Sequence, residues 1–174
     1  NQVAGAGLFA GLTTATNSTA FAAPTSLALG VNLANRYDVL VAAWTQLQTL
    51  KTGATATAVL VNPQDYASMV LGKEATTGAY LFGAPNASFP NVMGIPIIPS
   101  NLIAVDKFLI GDFSKVTIGV RDGVRVKFYD QNESDAIYNM ITVVIEERVT
   151  IVADRADRLV YGDFTDAMAL LETA

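Results

Sequence analysis

The chain contains no cysteine and no histidine. The first absence excludes disulfides, thiolate metal sites and cysteine nucleophiles. The second removes the Ser-His triad, the commonest metal ligand and the usual general base near neutral pH. Positive charge is also scarce: 11 Lys and Arg stand against 16 Asp and Glu, a net charge of -5, with no Lys/Arg cluster of the kind that tracks phosphates. Sequence-specific reading of nucleic acid is therefore not expected, nor is a cofactor or a metal. No uninterrupted apolar run approaches the roughly 18 residues of a membrane span. Residues Asn1 to Thr19 have neither a basic n-region nor a continuous apolar h-region, so no signal peptide is expected. The first residue is Asn rather than Met, as in a processed or trimmed piece of a longer polypeptide.

Apolar residues make up 51% of the 174. That suffices for one sizeable core or two small joined ones, and it leaves surface that copies of the chain could hide against one another. The most organised stretch is Asn139 to Ala153, NMITVVIEERVTIVA, rich in β-branched residues and free of Gly and Pro. It predicts a single long strand of roughly 50 Å at the usual rise, close to three times the common length. Alternation puts Ile141, Val143, Ile145, Val149 and Ile151 on one side, predicted to face the core. Met140, Thr142, Val144, Glu146, Arg148, Thr150 and Val152 fall on the other. Burying Glu147 within the apolar side is costly unless it is paired. The trio Glu146, Glu147 and Arg148 thus marks where the strand leaves one packed region and enters another, and the strand reads as a bridge between two modules.

Residues 1–26 read as a flexible connection with one short strand. Gly5, Gly7 and Gly11 are not spaced as a phosphate-cradling GxGxxG loop, and no P-loop lysine follows. From Asn32 to Lys51 the residues Leu33, Tyr37, Leu40, Val41, Trp44 and Leu47 recur at three- and four-residue steps. They predict an amphipathic helix capped by Asn32 or Asn35 and ended near Gly53, with Tyr37 and Trp44 as core anchors and Arg36, Asp38, Gln46 and Gln48 off the stripe. Thr55 to Val61 predicts a strand. Asn62-Pro63-Gln64-Asp65 opens a short helix to about Gly72, its Tyr66, Met69 and Val70 facing the same core. Gly and Pro between Lys73 and Pro99 leave only loop and short strands, at Tyr80 to Phe82 and Val92 to Ile98, the latter at a sheet edge because of Pro96. Phe108 to Ile110 and Val116 to Val120 are further strands, and Arg121-Asp122-Gly123 predicts a turn into a strand from Val124 to Tyr129. Asp154 to Arg158 reads as a charged turn with local ion pairs rather than a carboxylate metal site. Leu159 to Tyr161 is a last strand, and Asp166 to Ala174 a short helical tail or a frayed end. The Asn-X-Ser/Thr triplets at Asn17, Asn86 and Asn132 are composition accidents without a secretory signal.

The order of pieces is VLVNPQDY, a Lys-containing turn, GAYLFGAP, NVMGIPIIPSN, FLIGDFSK, a strand, then NMITVVIEERVTIVADRADRLVYGDF. In this order and spacing they resemble the C-terminal part of the major capsid protein of tailed bacteriophages, the Hong Kong 97-type family, over about Asn1 to Phe164. The resemblance implies an α+β fold, a mixed or antiparallel sheet flanked by helices with a long β-strand extension. It implies 1–26 as the loop after a spine helix, 27–123 as the main part of an axial domain and 124–147 as strands of a peripheral domain. It further implies 148–164 as a return strand of the axial domain and 165–174 as a tail. The family's N-terminal arm, extended loop and spine helix are then expected to precede these residues and to be absent from this chain. The implied function is structural, not enzymatic: self-assembly through pentamers and hexamers into an icosahedral virion shell around DNA. Scaffold, maturation protease and portal are the implied further partners, and the host bacterial cytoplasm the place of assembly.

Some members of that family weld their shells by an isopeptide bond between a lysine of the extended loop and an asparagine of a peripheral strand, assisted by a glutamate. The matching positions here are Asn139 and Glu146. Seven residues apart, they face opposite ways on a regular strand, so one copy cannot bring both to one bond. The base would have to be desolvated and the lysine uncharged. Against this stands the structural alternative, in which Asn139 bonds nearby backbone and Glu146, Glu147 and Arg148 make contacts between subunits. An encapsulin-type nanocompartment shell is a further alternative with the same fold.

Overall fold

Apolar alternation and helix caps account for most of the architecture. The computed structural model describes residues 10–24, 31, 33–50, 54–73, 80, 91–130 and 135–172, apart from the side chains of 135 and 136. A six-stranded mixed sheet runs in the order β1-β8-β5-β2-β4-β3. Its strands are β1 (Thr19–Ala20), β2 (Ala58–Val61), β3 (Asn91–Val92), β4 (Ile95–Pro99), β5 (Lys107–Gly111) and β8 (Leu159–Asp163). A separate antiparallel ribbon pairs β6 (Val116–Tyr129) with β7 (Thr142–Ala153). The helices are α1 (Arg36–Thr49), α2 (Pro63–Val70), α3 (Asp135–Tyr138) and α4 (Phe164–Glu172).

Strand alternation divides the sheet between two cores. Val59 and Val61 of β2, Phe108 and Ile110 of β5, and Val160 of β8 pack with Leu40 and Leu47 of α1 and with Phe164 and Leu171 of α4. The intervening Leu109 and Leu159, joined by Leu60 and Tyr161, turn to the opposite face and meet Leu12, Ile103 and Ala153. Val116 and Ile151 pack against this second core, so the base of the ribbon is rooted there.

Helix α1 starts on a capping box: Asn35 accepts from the backbone of Tyr37 and Asp38, and Asp38 accepts from Asn35 N. Asn62 caps α2, with Pro63 in the first position. Buried polar groups tie these helices to the sheet. Gln46 of α1 accepts from Ala22 N at 2.9 Å and donates to Ala20 O at 3.0 Å, fixing the strap around β1. Arg36 meets the buried Asp65 of α2 at 3.3 Å and lies over the Phe164 ring of α4. Asp65 also accepts from Asp106 N at 2.7 Å, which draws the turn before β5 into the same network.

Several expectations are corrected. Leu33 is 82% exposed, because α1 begins three residues later and Leu33 itself sits at φ 55°. Gln46, expected off the apolar stripe, is buried, since its amide serves both backbone partners of the strap. Strand β2 begins at Ala58 rather than Thr55. Strand β4, with Pro96, lies between β2 and the two-residue β3 rather than at the edge. Met93 and Gly94 both take positive φ in the tight turn that joins β3 to β4. Of the two expectations for the end of the chain the helical one holds, with α4 ordered through Glu172, and its Phe164, Ala167 and Leu171 are buried in the main core. The expected caps at Asn32 and Gly53, Gly5 and Gly7, the Leu81 to Phe82 strand, and Asn86 and Asn132 lie outside the described residues.

Candidate functional site: the exposed ribbon

Beyond its root the ribbon leaves the sheet, and twelve to fourteen residues per strand carry it about 40 Å at the usual rise. The structure of the ribbon differs from the expectation at three places. The strand starts at Thr142, not Asn139, because residues 135–138 form a helical turn and Asn139 ends it at φ 53°. Asparagine is one of the few non-glycine residues that accepts this left-handed conformation, and it commonly ends helices there. Arg121-Asp122-Gly123 is not a hairpin turn. It lies inside the continuous β6, where the register against β7 shifts between Val120 and Asp122 and again between Asp122 and Arg125. Each shift places one extra residue in β6, and two bulges restore the parity that a single bulge would invert.

The third correction concerns the face. Ile141, Val143, Ile145, Val149 and Ile151 were expected to lie against a core. Cross-strand register does gather Ile118, Val120, Val126 and Phe128 of β6 with Ile151, Val149, Ile145 and Val143 of β7 on one face. Only the root of that face is covered, however. Ile118 is 60% exposed, Phe128 70% and Ile145 68%, and Ile141 just before the strand is exposed as well. Alternation identified the apolar face, but the described residues supply no second layer for it.

The other face carries the charges. Asp122 lies opposite Arg148, and Arg125 opposite Glu146. These four, with Lys127 and Glu147, border a shallow cleft of about 200 Å3. Asp122 Oδ1 accepts from Arg125 Nη2 at 3.1 Å, its other oxygen lies 3.8 Å from Arg148 Nε, and Glu146 pairs with Lys127. The Lys127 hydrogen bond holds the Glu146 carboxyl below the usual carboxylate range, and the same bond raises Lys127. Glu146 is therefore an ionised, solvent-facing partner in an ion pair, whereas a general base would have to be desolvated. Asn139 lies beyond the end of β7, exposed, so the odd-spacing argument for a regular strand does not apply to it.

Residues Asp154 to Arg158 form the expected charged turn at the foot of the ribbon. Arg155 pairs with Asp157 at 3.3 Å, and Arg158 donates to Asp112 at 2.9 Å. Ser114 and Arg158 together hold the Asp112 carboxyl below its ordinary value. Among the described residues no group of three or more His, Cys, Asp or Glu is placed to hold a metal ion, and no helix is long and apolar enough to cross a membrane. The partners Asp122, Arg125 and Lys127 were not singled out from sequence. A long antiparallel pairing of the two β-rich stretches would have brought them to Glu146 and Arg148, had the Arg-Asp-Gly turn signal not divided β6.

The comparisons agree with this architecture. The chain is 28% identical over 120 residues to the major capsid protein of Enterobacteria phage HK97, covering 68% of this chain and 31% of that protein. Among solved structures it is similar to the capsid of an empty GTA particle, with a TM-score of 0.62 and 18% identity over 87% of this chain and 56% of the other. It is also similar to a chain from Mycobacterium phage Che8, with a TM-score of 0.59 and 17% identity over 87% and 55%. The chain thus spans about a third of the curated relative's length and about half of the solved ones. The sheet with its flanking helices and long ribbon is a Hong Kong 97-type capsid fold, and with the phage capsid family matched over residues 2–164, the chain belongs to that family.

Proposed function

We propose that the complete protein is a structural shell subunit of a tailed phage or prophage, which assembles through pentamers and hexamers into an icosahedral capsid around DNA. The observation that carries this reading is the ribbon: a 14-residue and a 12-residue strand whose apolar face the described residues leave open beyond its root. A two-stranded ribbon is marginal by itself in water, so such a face is built to be covered by protein. By family resemblance residues 27–123 and 148–164, which carry β2, β3, β4, β5 and β8 of the six-stranded sheet, form the axial domain. The strands within 124–147 belong to the peripheral domain, residues 1–26 follow a spine helix, and 165–174 form the tail. A spine helix supplied from outside this chain is the expected cover for part of the ribbon.

In this reading Glu146, Glu147 and Arg148 are subunit-contact residues, and Asn139 is a turn residue rather than a crosslinking partner. The protein is not an enzyme, and it meets DNA without reading sequence, in keeping with its net charge of -5. Scaffold, maturation protease and portal are further partners, with assembly in the host cytoplasm and residence in the virion capsid. Expression of the complete protein followed by electron microscopy tests the reading. Closed particles with five-fold vertices support it, and a strictly monomeric chain under all assembly conditions overturns it. Particles filled with a cargo enzyme and no DNA would assign the same fold to a nanocompartment.

A further inference from the structure

The four central charges of the ribbon form two consecutive rows across its polar face. In the first row Asp122 is opposite Arg148, and in the second Arg125 is opposite Glu146. The signs read minus, plus and then plus, minus, a two-by-two checkerboard. Such a pattern has a particular property under two-fold symmetry. When a second copy is turned over about an axis lying in the face, perpendicular to the strands and between the two rows, each Asp122 comes to lie over the partner copy's Arg125. Each Arg148 likewise comes to lie over its Glu146. Each of these four charges meets its opposite, which is the self-complementarity an isologous contact requires, and Lys127, one row further out, stays paired with Glu146 of its own chain.

The pairs within one chain leave capacity for this. Asp122 is shared between two guanidinium groups, contacting Arg125 through Nη2 and Arg148 through Nε. Each guanidinium carries five N–H donors, and the two side chains are 63% and 68% exposed. The two bulges lie at these rows and increase the local twist, so the charges stand where the regular ladder is interrupted. No large apolar side chain shares these two rows, which suits a contact specified by charge rather than by buried area.

We infer that the polar face of the ribbon is a two-fold docking surface for a second copy of this chain, with Asp122, Arg125, Glu146 and Arg148 as its matched charges. This rests on the shell reading above and adds which face and which pairing are used. The apolar face is left for a different cover.

Exchanging charges by rows separates docking from folding. In the complete protein, Asp122→Arg with Arg148→Asp keeps an opposite pair across the strands but makes the rows alike, so that like charges meet between copies. Adding Arg125→Glu with Glu146→Arg restores an inverted checkerboard. Particle yield is measured by sedimentation, and the fold of the unassembled subunit by its melting curve. The expected result is a fall in assembly of about tenfold or more for the first variant and recovery to within about twofold for the second, from unassembled subunits that melt alike. Equal assembly of the wild type and the single-row exchange overturns the inference while leaving the shell reading intact, as does failure of the double-row exchange to recover. A wild-type protein that forms no particles overturns the shell reading itself, and the inference with it.

Discussion

The sheet core and the ribbon are made of the same residue types and have opposite fates. Val59, Phe108, Ile110 and Val160 are fully buried between the sheet and α1 and α4. Val126, Phe128, Val143 and Ile145 form the same alternating pattern on paired strands, and each is at least half open to solvent or close to it, at 49%, 70%, 50% and 68%. The local rules that make a strand operate in both places. What differs is the second layer: helices in the chain cover one sheet, and nothing among the described residues covers the other beyond its root. Burial is thus a property of the assembly a strand belongs to, not of the strand.

Substitutions in the two regions should therefore have unlike effects. The largest effect belongs to the covered sheet. Phe108→Ala removes a ring packed against Phe21 and Phe164 and should cost about 3–5 kcal/mol of subunit stability in urea titrations. Gly162→Ala probes the same place from the other side. An added Cβ would come to 2.7 Å from the Phe108 ring and 2.8 Å from Phe21 Cβ, an overpacking expected to cost about 1–3 kcal/mol and to lower the melting temperature. Asn35→Ala, which empties the capping box of α1, should cost about 1 kcal/mol in the same assay.

Acid should act at the foot of the ribbon. The folded Asp112 carboxyl lies below its ordinary value of 3.8 because Ser114 and Arg158 bond its ionised form. The stability this contributes is complete above the unfolded value and is lost as pH falls through the folded one. Asp112→Asn should therefore flatten the acid side of the stability profile below about pH 4 and matter less to its shape near neutrality. The smallest subunit effect is expected for Phe128→Ala. At 70% exposure it should change the stability of the unassembled subunit by no more than about 0.5 kcal/mol, while particle yield falls. A loss like that of Phe108→Ala in the unassembled subunit would erase the contrast between the two regions.

Much of the sheet core was legible in sequence. The cap at Asn62-Pro63, the stripe through Leu40 and Leu47, and the strands at β2, β5 and β8 follow from local chemistry with a strong signal. The Asp65–Arg36 contact was not legible, because a charge next to a helix start reads as a solvated first-turn acid until the turn at Asp106 is folded over it. The ribbon was legible as a long strand with a charged break. Its start is not legible, because Asn139 and Met140 resemble strand residues in composition, while the left-handed turn at Asn139 depends on the helical turn before it. Arg121-Asp122-Gly123 carries a real turn signal, but here it is absorbed as two bulges in a strand held by eleven register pairs. The charged partners of Glu146 and Arg148 depend on that register, and so they could not be read before the pairing was known.

On the shell reading the ribbon is a contact surface and not an unfinished core. A near-atomic electron microscopy map of particles assembled from the complete protein tests it directly. Val126, Phe128, Val143 and Ile145 should be covered by protein in the particle, and finding these four side chains facing solvent there, as they do in the single chain, would refute a contact role for the ribbon.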